Sequence, residues 1–216
     1  LLRQAPLPAG LQQRLAQQME AACAGDQLNA LRPEAQIITL LTWVGRPLGL
    51  DPQFGVDLVL AGAAQALGKP VLGLEAPATQ LRELVSDDPA TVQRSVESGL
   101  EQLEKGAAPQ QLLRLAQAWA AGDAAELAAY PQWCDCLNTD AERADYARLV
   151  DGRNPAMADA IAQQLRSGQR LLVAVGALHL IGPQGLPALL AAQGFAVQPV
   201  PLGAEQDMEP KRPSAQ

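Results

Sequence analysis

The sequence predicts an α/β fold, a helix-rich single domain around a small, mainly parallel sheet. Helical periodicity fills most of the chain, and short apolar runs between turn residues are typical of buried strands. At 216 residues and 48% hydrophobic composition, the chain has enough material for one core. We therefore assign residues 1–200 to this domain. The polar, proline-containing residues 201–216 are expected to form a disordered tail.

The first part of the chain is predicted to be helical. Apolar residues at every fourth position indicate a helix over residues 9–24, and this stripe includes Cys23, which we expect to be buried. Pro33 suits the first position of a second helix. After a loop rich in Gly and Pro, a third helix is predicted over residues 56–67.

Helical patterns also dominate the middle of the chain, over residues 77–130 and 140–166. Asp88 is well placed as the N-cap of a helix that begins at Pro89. The second stretch is predicted to be interrupted at Asp151-Gly152 or at Pro155.

Three apolar runs predict the strands of the sheet, over residues 69–75, 170–178 and 195–200. After Arg170, the run over 170–178 is apolar, which predicts a strand covered on both faces. A helix over residues 183–193 separates the last two runs, so this unit predicts a right-handed parallel crossover. In such a sheet, ligands bind outside the carboxyl ends of the strands.

Charge and hydropathy exclude several classes of partner. The formal charge of −7 and the pI near 4.7 argue against nucleic acid and anionic membrane surfaces. No apolar run approaches the roughly 20 residues that span a bilayer. The amino terminus shows no signal-peptide pattern and no Met, which indicates a mature, trimmed or partial chain.

The cysteines do not form a recognisable metal or redox motif. Cys134 and Cys136 make a single C-x-C, which matches neither a zinc ribbon nor a C-x-x-C. In an exported protein either could join a disulfide, and one thiol of the three would be left over. A structural role is favoured over a catalytic one.

The only histidine, His179, follows the apolar run that predicts the second strand. Gly176 precedes it, where a glycine permits an unusual backbone angle or a close approach. Glu75 ends the first predicted strand, so parallel strands would place it at the same edge. Imidazole beside carboxylate suits a divalent metal or acid–base chemistry. A hydrogen-bonded structural histidine and a helix-capping Glu75 are the alternatives, and the pattern does not decide between them.

Several segments resemble the TraB/PrgY/GumN family, to which the Tiki metalloproteases are related. GALHLIGPQGLPALLAAQGFAVQPV resembles its carboxy-terminal signature, with G-x-x-H at a strand end. RNPAMADAI resembles its Arg-Asn motif, and GVDLVL, GKPVLGLEAPATQL and YPQWCDCLNTDAERADYARLV resemble GumN-type bacterial members. The matches follow the family's order over most of residues 45–200.

The resemblance implies an erythromycin-esterase/Tiki-like α/β domain. It implies a metal-dependent hydrolase or peptidase acting on a peptide or another small extracytoplasmic substrate, in the periplasm or secreted. His179 is then a catalytic base or ligand of a divalent metal and Glu75 its catalytic acidic partner. Arg153, Asn154 and Gly176 are assigned to substrate or oxyanion binding. The alternative is a non-catalytic binding or regulatory protein on the same scaffold, linked to exopolysaccharide production or peptide signalling.

One departure from the family's pattern affects this assignment. The family's first G-x-x-H, near its amino terminus, has no counterpart here, so the chain is expected to be a fragment or a degenerate member. His179 alone would bind a metal poorly, since a stable site usually needs three or more protein ligands. An absent opening strand would also leave a sheet edge exposed, which favours a homo-oligomer.

Overall fold

The computed structural model describes residues 7–200, and α-helices make up most of the regular structure in this range. They are Ala9–Ala21 (α1), Gly25–Leu28 (α2), Pro33–Trp43 (α3), Val56–Ala66 (α4), Pro77–Leu84 (α5), Pro89–Lys105 (α6), Ala108–Ala121 (α7), Ala124–Ala128 (α8), Tyr130–Trp133 (α9), Asp140–Tyr146 (α10), Asn154–Arg166 (α11) and Leu186–Ala192 (α12). A π-helix occupies Ala147–Asp151, and 3-10 turns occupy Arg46–Leu48, Pro52–Phe54 and Ala177–Leu180.

Local sequence signals set the ends of these helices, largely as predicted. Pro33 is the first residue of α3, and the Asp88 carboxylate accepts the Thr91 backbone N–H at 2.9 Å to cap α6. A reciprocal capping box between Thr139 and Glu142 starts α10. The interruption predicted near Asp151 is confirmed, because the π-helix and a turn separate α10 from α11.

The larger core lies where α1, α2, α3 and α6 pack together. Its buried side chains are Leu7, Leu11, Leu15, Met19, Ala24, Leu28, Ile37, Leu40, Val92, Val96 and Leu100. Gly99 of α6 faces Ile37 of α3 so closely that a Cβ at position 99 would overlap the isoleucine side chain. This glycine therefore allows the two helices to approach at the centre of the core.

A second, smaller core joins α11 to α12. Met157, Ala158 and Ile161 of α11 are buried against Leu186 of α12. Two partly buried side chains from extended segments pack against the same cluster, Leu74 from residues 69–76 and Val175 from residues 169–176. Both segments lead into the candidate site, so this pair of helices holds that site together.

The predicted parallel sheet is wrong for the part of the chain that the structure describes. Residues 69–73, 170–176 and 195–200 belong to neither a helix nor a strand, residues 74–75 form a bend, and residues 177–178 belong to a 3-10 turn. No backbone hydrogen bond within residues 7–200 joins one of these segments to another. The α/β class and the right-handed crossover are therefore corrected to a helical architecture with extended connections.

The strand prediction failed because an apolar run indicates only that burial is favourable, whereas a strand also requires a neighbouring strand with which to pair. Over residues 171–175, Val175 faces the α11–α12 core, whereas Leu172 is 82% exposed. Leu171 and Val173 are also exposed, so Val175 alone of these residues is partly buried, and the predicted covering of both faces is wrong. Helix α4 is also apolar without buried residues, and Leu58 and Val59 are each 62% exposed.

The predicted burial of Cys23 is also wrong. Helix α1 ends at Ala21, and Cys23 then adopts the left-handed conformation, with φ of +51°. Its N–H bonds to the Glu20 carbonyl while the Ala24 N–H reaches back to Met19, the pattern of a Schellman motif. This turn buries Ala24 and leaves the Cys23 thiol free and exposed.

Within residues 7–200, no helix has the length and apolar character that a membrane crossing requires. The predicted tail over residues 201–216 lies outside the described residues. The assignment of residues 1–200 to one domain stays a prediction.

Candidate functional site

His179 lies in the 3-10 turn Ala177–Leu180, between an extended segment and α12. Its backbone N–H donates to the Gly176 carbonyl at 2.9 Å, which closes the turn. Gly176 itself has an ordinary φ of −56°, and a Cβ there would lie 3.7 Å from His179 Cδ2, a normal contact. The structure thus places Gly176 beside the imidazole without the unusual backbone angle expected from the sequence.

Asn154 fixes the orientation of the histidine ring. Its side chain is completely buried at the start of α11, and its Nδ2 donates to the Gln184 carbonyl at 2.7 Å. That bond points Asn154 Oδ1 toward His179, 2.7 Å from Nδ1. Since an amide oxygen only accepts, His179 Nδ1 must carry the proton. The lone pair of a neutral imidazole then lies on Nε2.

Glu75 and Arg153 form a bidentate ion pair next to the histidine. Arg153 Nε donates to Glu75 Oε1 at 2.9 Å, and its terminal nitrogen Nη2 donates to Oε2. The other terminal nitrogen, Nη1, donates to the Leu149 carbonyl at 3.1 Å. The two charged side chains are only 17% and 13% exposed. Each of the three guanidinium nitrogens thus has a protein partner.

Burial favours a neutral His179, and the Arg153 guanidinium favours an ionised Glu75. Hydrogen bonding to Arg153 lowers the pKa of Glu75, with a smaller contribution in the same direction from His179. Burial is the main cause that lowers the pKa of His179, and the Arg153 charge adds to it. Glu75 and Asp151 oppose that shift. At neutral pH the imidazole is therefore a base with an available lone pair.

Sequence reasoning missed two neighbours of this site, Asp151 and Tyr146. Asp151 ends the π-helix Ala147–Asp151, and its charge acts on both His179 and Tyr146. Burial is the main cause that raises the pKa of Tyr146, followed by the Asp151 charge. A π-helix is uncommon and often occurs at functional sites. The interruption predicted at Asp151-Gly152 is the sequence signal that falls at the end of this π-helix.

The described residues do not by themselves make a divalent metal site. No group of three or more His, Cys, Asp or Glu side chains suited to a metal converges within residues 7–200. His179 Nε2 is one available donor, while both oxygens of Glu75 are bound by Arg153. A stable site usually requires three or more protein ligands. The present donor set therefore does not fit a resident metal ion.

The structure brings together the four side chains that the sequence singled out, by a different route from the one predicted. Glu75 and His179 were expected at one edge of a parallel sheet. Instead, the α11–α12 core holds the two extended segments that precede them, through Leu74 and Val175. Asn154 and Arg153, at the beginning of α11, then contact His179 and Glu75 respectively.

Comparison with known proteins agrees with the sequence motifs at this site. The sequence model of the TraB/PrgY/gumN family matches residues 1–199, nearly the whole chain. Searches of curated proteins and of solved structures return no match. The matched range includes Glu75, Arg153, Asn154 and His179. The chain belongs to the TraB/PrgY/gumN family.

Proposed function

We propose that the chain is a hydrolase that cleaves a peptide or another small extracytoplasmic substrate, with His179 as the general base. The observation that carries this proposal is the Asn154–His179 hydrogen bond of 2.7 Å, which leaves Nε2 free to accept a proton. The partly buried ring, with its lowered pKa, is in the basic form at neutral pH.

The corresponding reaction is addition of water to a carbonyl carbon. His179 Nε2 takes one proton as the water oxygen bonds to that carbon, and the carbonyl oxygen becomes an oxyanion. The oxyanion then collapses as the bond to the leaving nitrogen breaks, and the imidazolium returns its proton to that nitrogen. The carboxylates of Glu75 and Asp151 stabilise the transient imidazolium, since both raise the pKa of His179.

Arg153 contributes to this chemistry through Glu75. Because its donors go to Glu75 and Leu149, it positions the carboxylate and keeps it ionised. Binding of a substrate oxyanion by Arg153, as the family resemblance implies, would use the second N–H groups of Nη1 and Nη2, which these bonds leave over. Asn154 likewise acts as a positioning residue, since its amide groups bond to His179 and Gln184.

Cleavage of a mixture of internally quenched peptides by the full chain tests the proposal. His179→Ala should abolish cleavage, whereas Asn29→Ala, at an exposed position far along the chain, should not alter it. The rate should rise with pH through the titration of His179. Asn154→Asp places a carboxylate on Nδ1 and should move that profile to higher pH. Absence of cleavage, or equal rates for wild type and His179→Ala, would reject the base role.

The divalent metal implied by the family resemblance remains a separate proposal. Its ligands would have to include groups in addition to His179 Nε2, the available donor described above. Metal analysis of the purified full chain, with His179→Ala as the matched variant, tests it directly. Equal metal content in both proteins would remove His179 as a ligand.

A second candidate function is a non-catalytic binding or regulatory role on the same scaffold. It is favoured by the Glu75–Arg153 ion pair, because both carboxylate oxygens and all three guanidinium nitrogens already bond within the protein. Under this alternative, peptides would be retained without cleavage, and their affinity would persist in His179→Ala. Measuring both binding and cleavage on one peptide set separates the two functions.

A further inference from the structure

The C-x-C segment of the chain forms a disulfide outside the candidate site. Cys134 and Cys136 are bonded to each other across a single residue, after α9 and before the capping box that starts α10. Cross-links stabilise a fold mainly by restricting the unfolded chain, and this effect is smallest for short loops. A bridge across one residue therefore contributes little to holding the fold together.

The two sulfurs differ in environment. Cys134 is 2% exposed, and its Sγ accepts the Cys136 backbone N–H at 3.2 Å. Cys136 is partly exposed, and its Sγ lies 3.4 Å from the Tyr130 hydroxyl, which acts as the donor because a disulfide has no S–H. Attack on a disulfide requires one accessible sulfur and a leaving thiolate that is stabilised. Cys136 is the less buried residue of the two, and the N–H bond to Cys134 Sγ stabilises a thiolate there.

The backbone between the two cysteines is held in a less favourable conformation. Asp135 has a φ of +50°, in the left-handed region that side-chain-bearing residues seldom adopt. Asn138 Nδ2 holds its carboxylate at 2.8 Å. Opening of the disulfide would let this residue relax. The flanking helices would keep the two thiols near each other, so that the bond could form again.

From these observations we propose that Cys134–Cys136 is a redox-active disulfide, which exchanges with a dithiol reductant through attack on Cys136. A reductant thiolate bonds to Cys136 Sγ, the S–S bond breaks, and Cys134 leaves as a thiolate that takes a proton. The second reductant thiolate then attacks the reductant's own sulfur in the mixed disulfide. Cys136 is released and protonated. Two electrons and two protons pass to the chain as the reductant forms its internal disulfide.

Exchange at this site is coupled to an aromatic pair. The Tyr130 ring stacks on Tyr146 with 6.2 Å between centroids, and Tyr146 interacts electrostatically with Asp151 beside the candidate site. Reduction breaks the bond between the two sulfurs and so changes the contact between Cys136 Sγ and the Tyr130 hydroxyl. The near-ultraviolet signal of the tyrosines therefore provides an optical readout of the disulfide state, independent of any catalytic activity.

The test uses the full chain carrying Cys23→Ser, which removes the free exposed thiol. The protein is equilibrated with dithiothreitol buffers under native conditions, and its thiols are trapped with maleimide. We expect complete reduction with the far-ultraviolet circular dichroism unchanged, and reoxidation when the reductant is removed. A disulfide that stays intact until the protein is unfolded in urea would overturn the proposal.

A matched pair of variants tests which sulfur is attacked. In the same background, Cys134→Ser leaves the partly exposed Cys136, and Cys136→Ser leaves the buried Cys134. An aromatic disulfide reagent should modify the first about tenfold or more faster than the second, because access controls the rate. Equal rates, or faster modification of Cys134, would refute attack at Cys136. The equilibrium measurement on the unsubstituted cysteine pair does not depend on whether these variants fold.

Discussion

Replacement of Asn154 by Ala is the sharpest perturbation of the candidate site. The substitution removes two hydrogen bonds of 2.7 Å, to His179 and to the Gln184 carbonyl, from a side chain with no exposed surface. Each bond contributes about 1 kcal/mol net to the free energy of unfolding. The small cavity left in the α11–α12 region adds to the loss. We expect the free energy of unfolding to fall by about 2–3 kcal/mol.

Urea unfolding measures this loss, with Asn29→Ala as an exposed control that should stay within about 0.5 kcal/mol of wild type. Nitrogen chemical shifts of the imidazole test whether Asn154 sets the tautomer of His179. Because His179 is the only histidine in the chain, its signals need no assignment by mutation. Wild type should show the proton on Nδ1, and Asn154→Ala should lose that preference. An Nε2-protonated ring in wild type would refute the proposed role of Asn154.

Two further predictions concern pH and association. Because the folded-state pKa of His179 lies below its ordinary value of 6.5, the unfolded chain binds more protons in that window. The free energy of unfolding should therefore decrease as pH falls from about 6.5 through the folded pKa. His179→Gln should lack this decrease in urea titrations, and an identical pH dependence would contradict the shift. The homo-oligomer expected from the sequence can no longer depend on a sheet edge, but the exposed Leu172 and the apolar α4 can be covered by a second copy. Sedimentation velocity should show concentration-dependent association that Leu172→Lys weakens, and a monomer at all concentrations would contradict it.

The helices were predictable because their signals are local. Periodicity placed the apolar stripe of α1, Pro33 marked the first turn of α3, and Asp88 supplied a cap that the structure confirms at 2.9 Å. Each signal acts within about one turn of helix. The error at Cys23 arose at the end of such a stripe. The spacing of four continued to Cys23, but α1 ends at Ala21 and Cys23 itself is the left-handed residue that turns the chain.

The extended segments could not be predicted in the same way, because a strand exists only with a partner. The apolar run at 170–176 has the composition of a covered strand, but within residues 7–200 it pairs with no other segment. The Glu75–Arg153 pair is a related case. Its members are 78 positions apart, so neither local pattern nor charge spacing identifies their contact. The C-x-C was visible in the sequence, whereas the unequal exposure of its two cysteine residues was not.

The residues predicted for the candidate site lie together although the described residues form no sheet, and their roles are a proposal. A parallel sheet would have placed Glu75 and His179 at one edge. In the structure, α11 brings these two side chains close together instead. That helix presents Arg153 and Asn154 in succession, one bound to the carboxylate and the other to the imidazole. Since Asn154 also holds the Gln184 carbonyl just before α12, the packing of the α11–α12 core and the protonation of His179 depend on the same buried amide. Stability and imidazole tautomer should therefore change together in Asn154 variants, whereas the family match alone implies no such coupling.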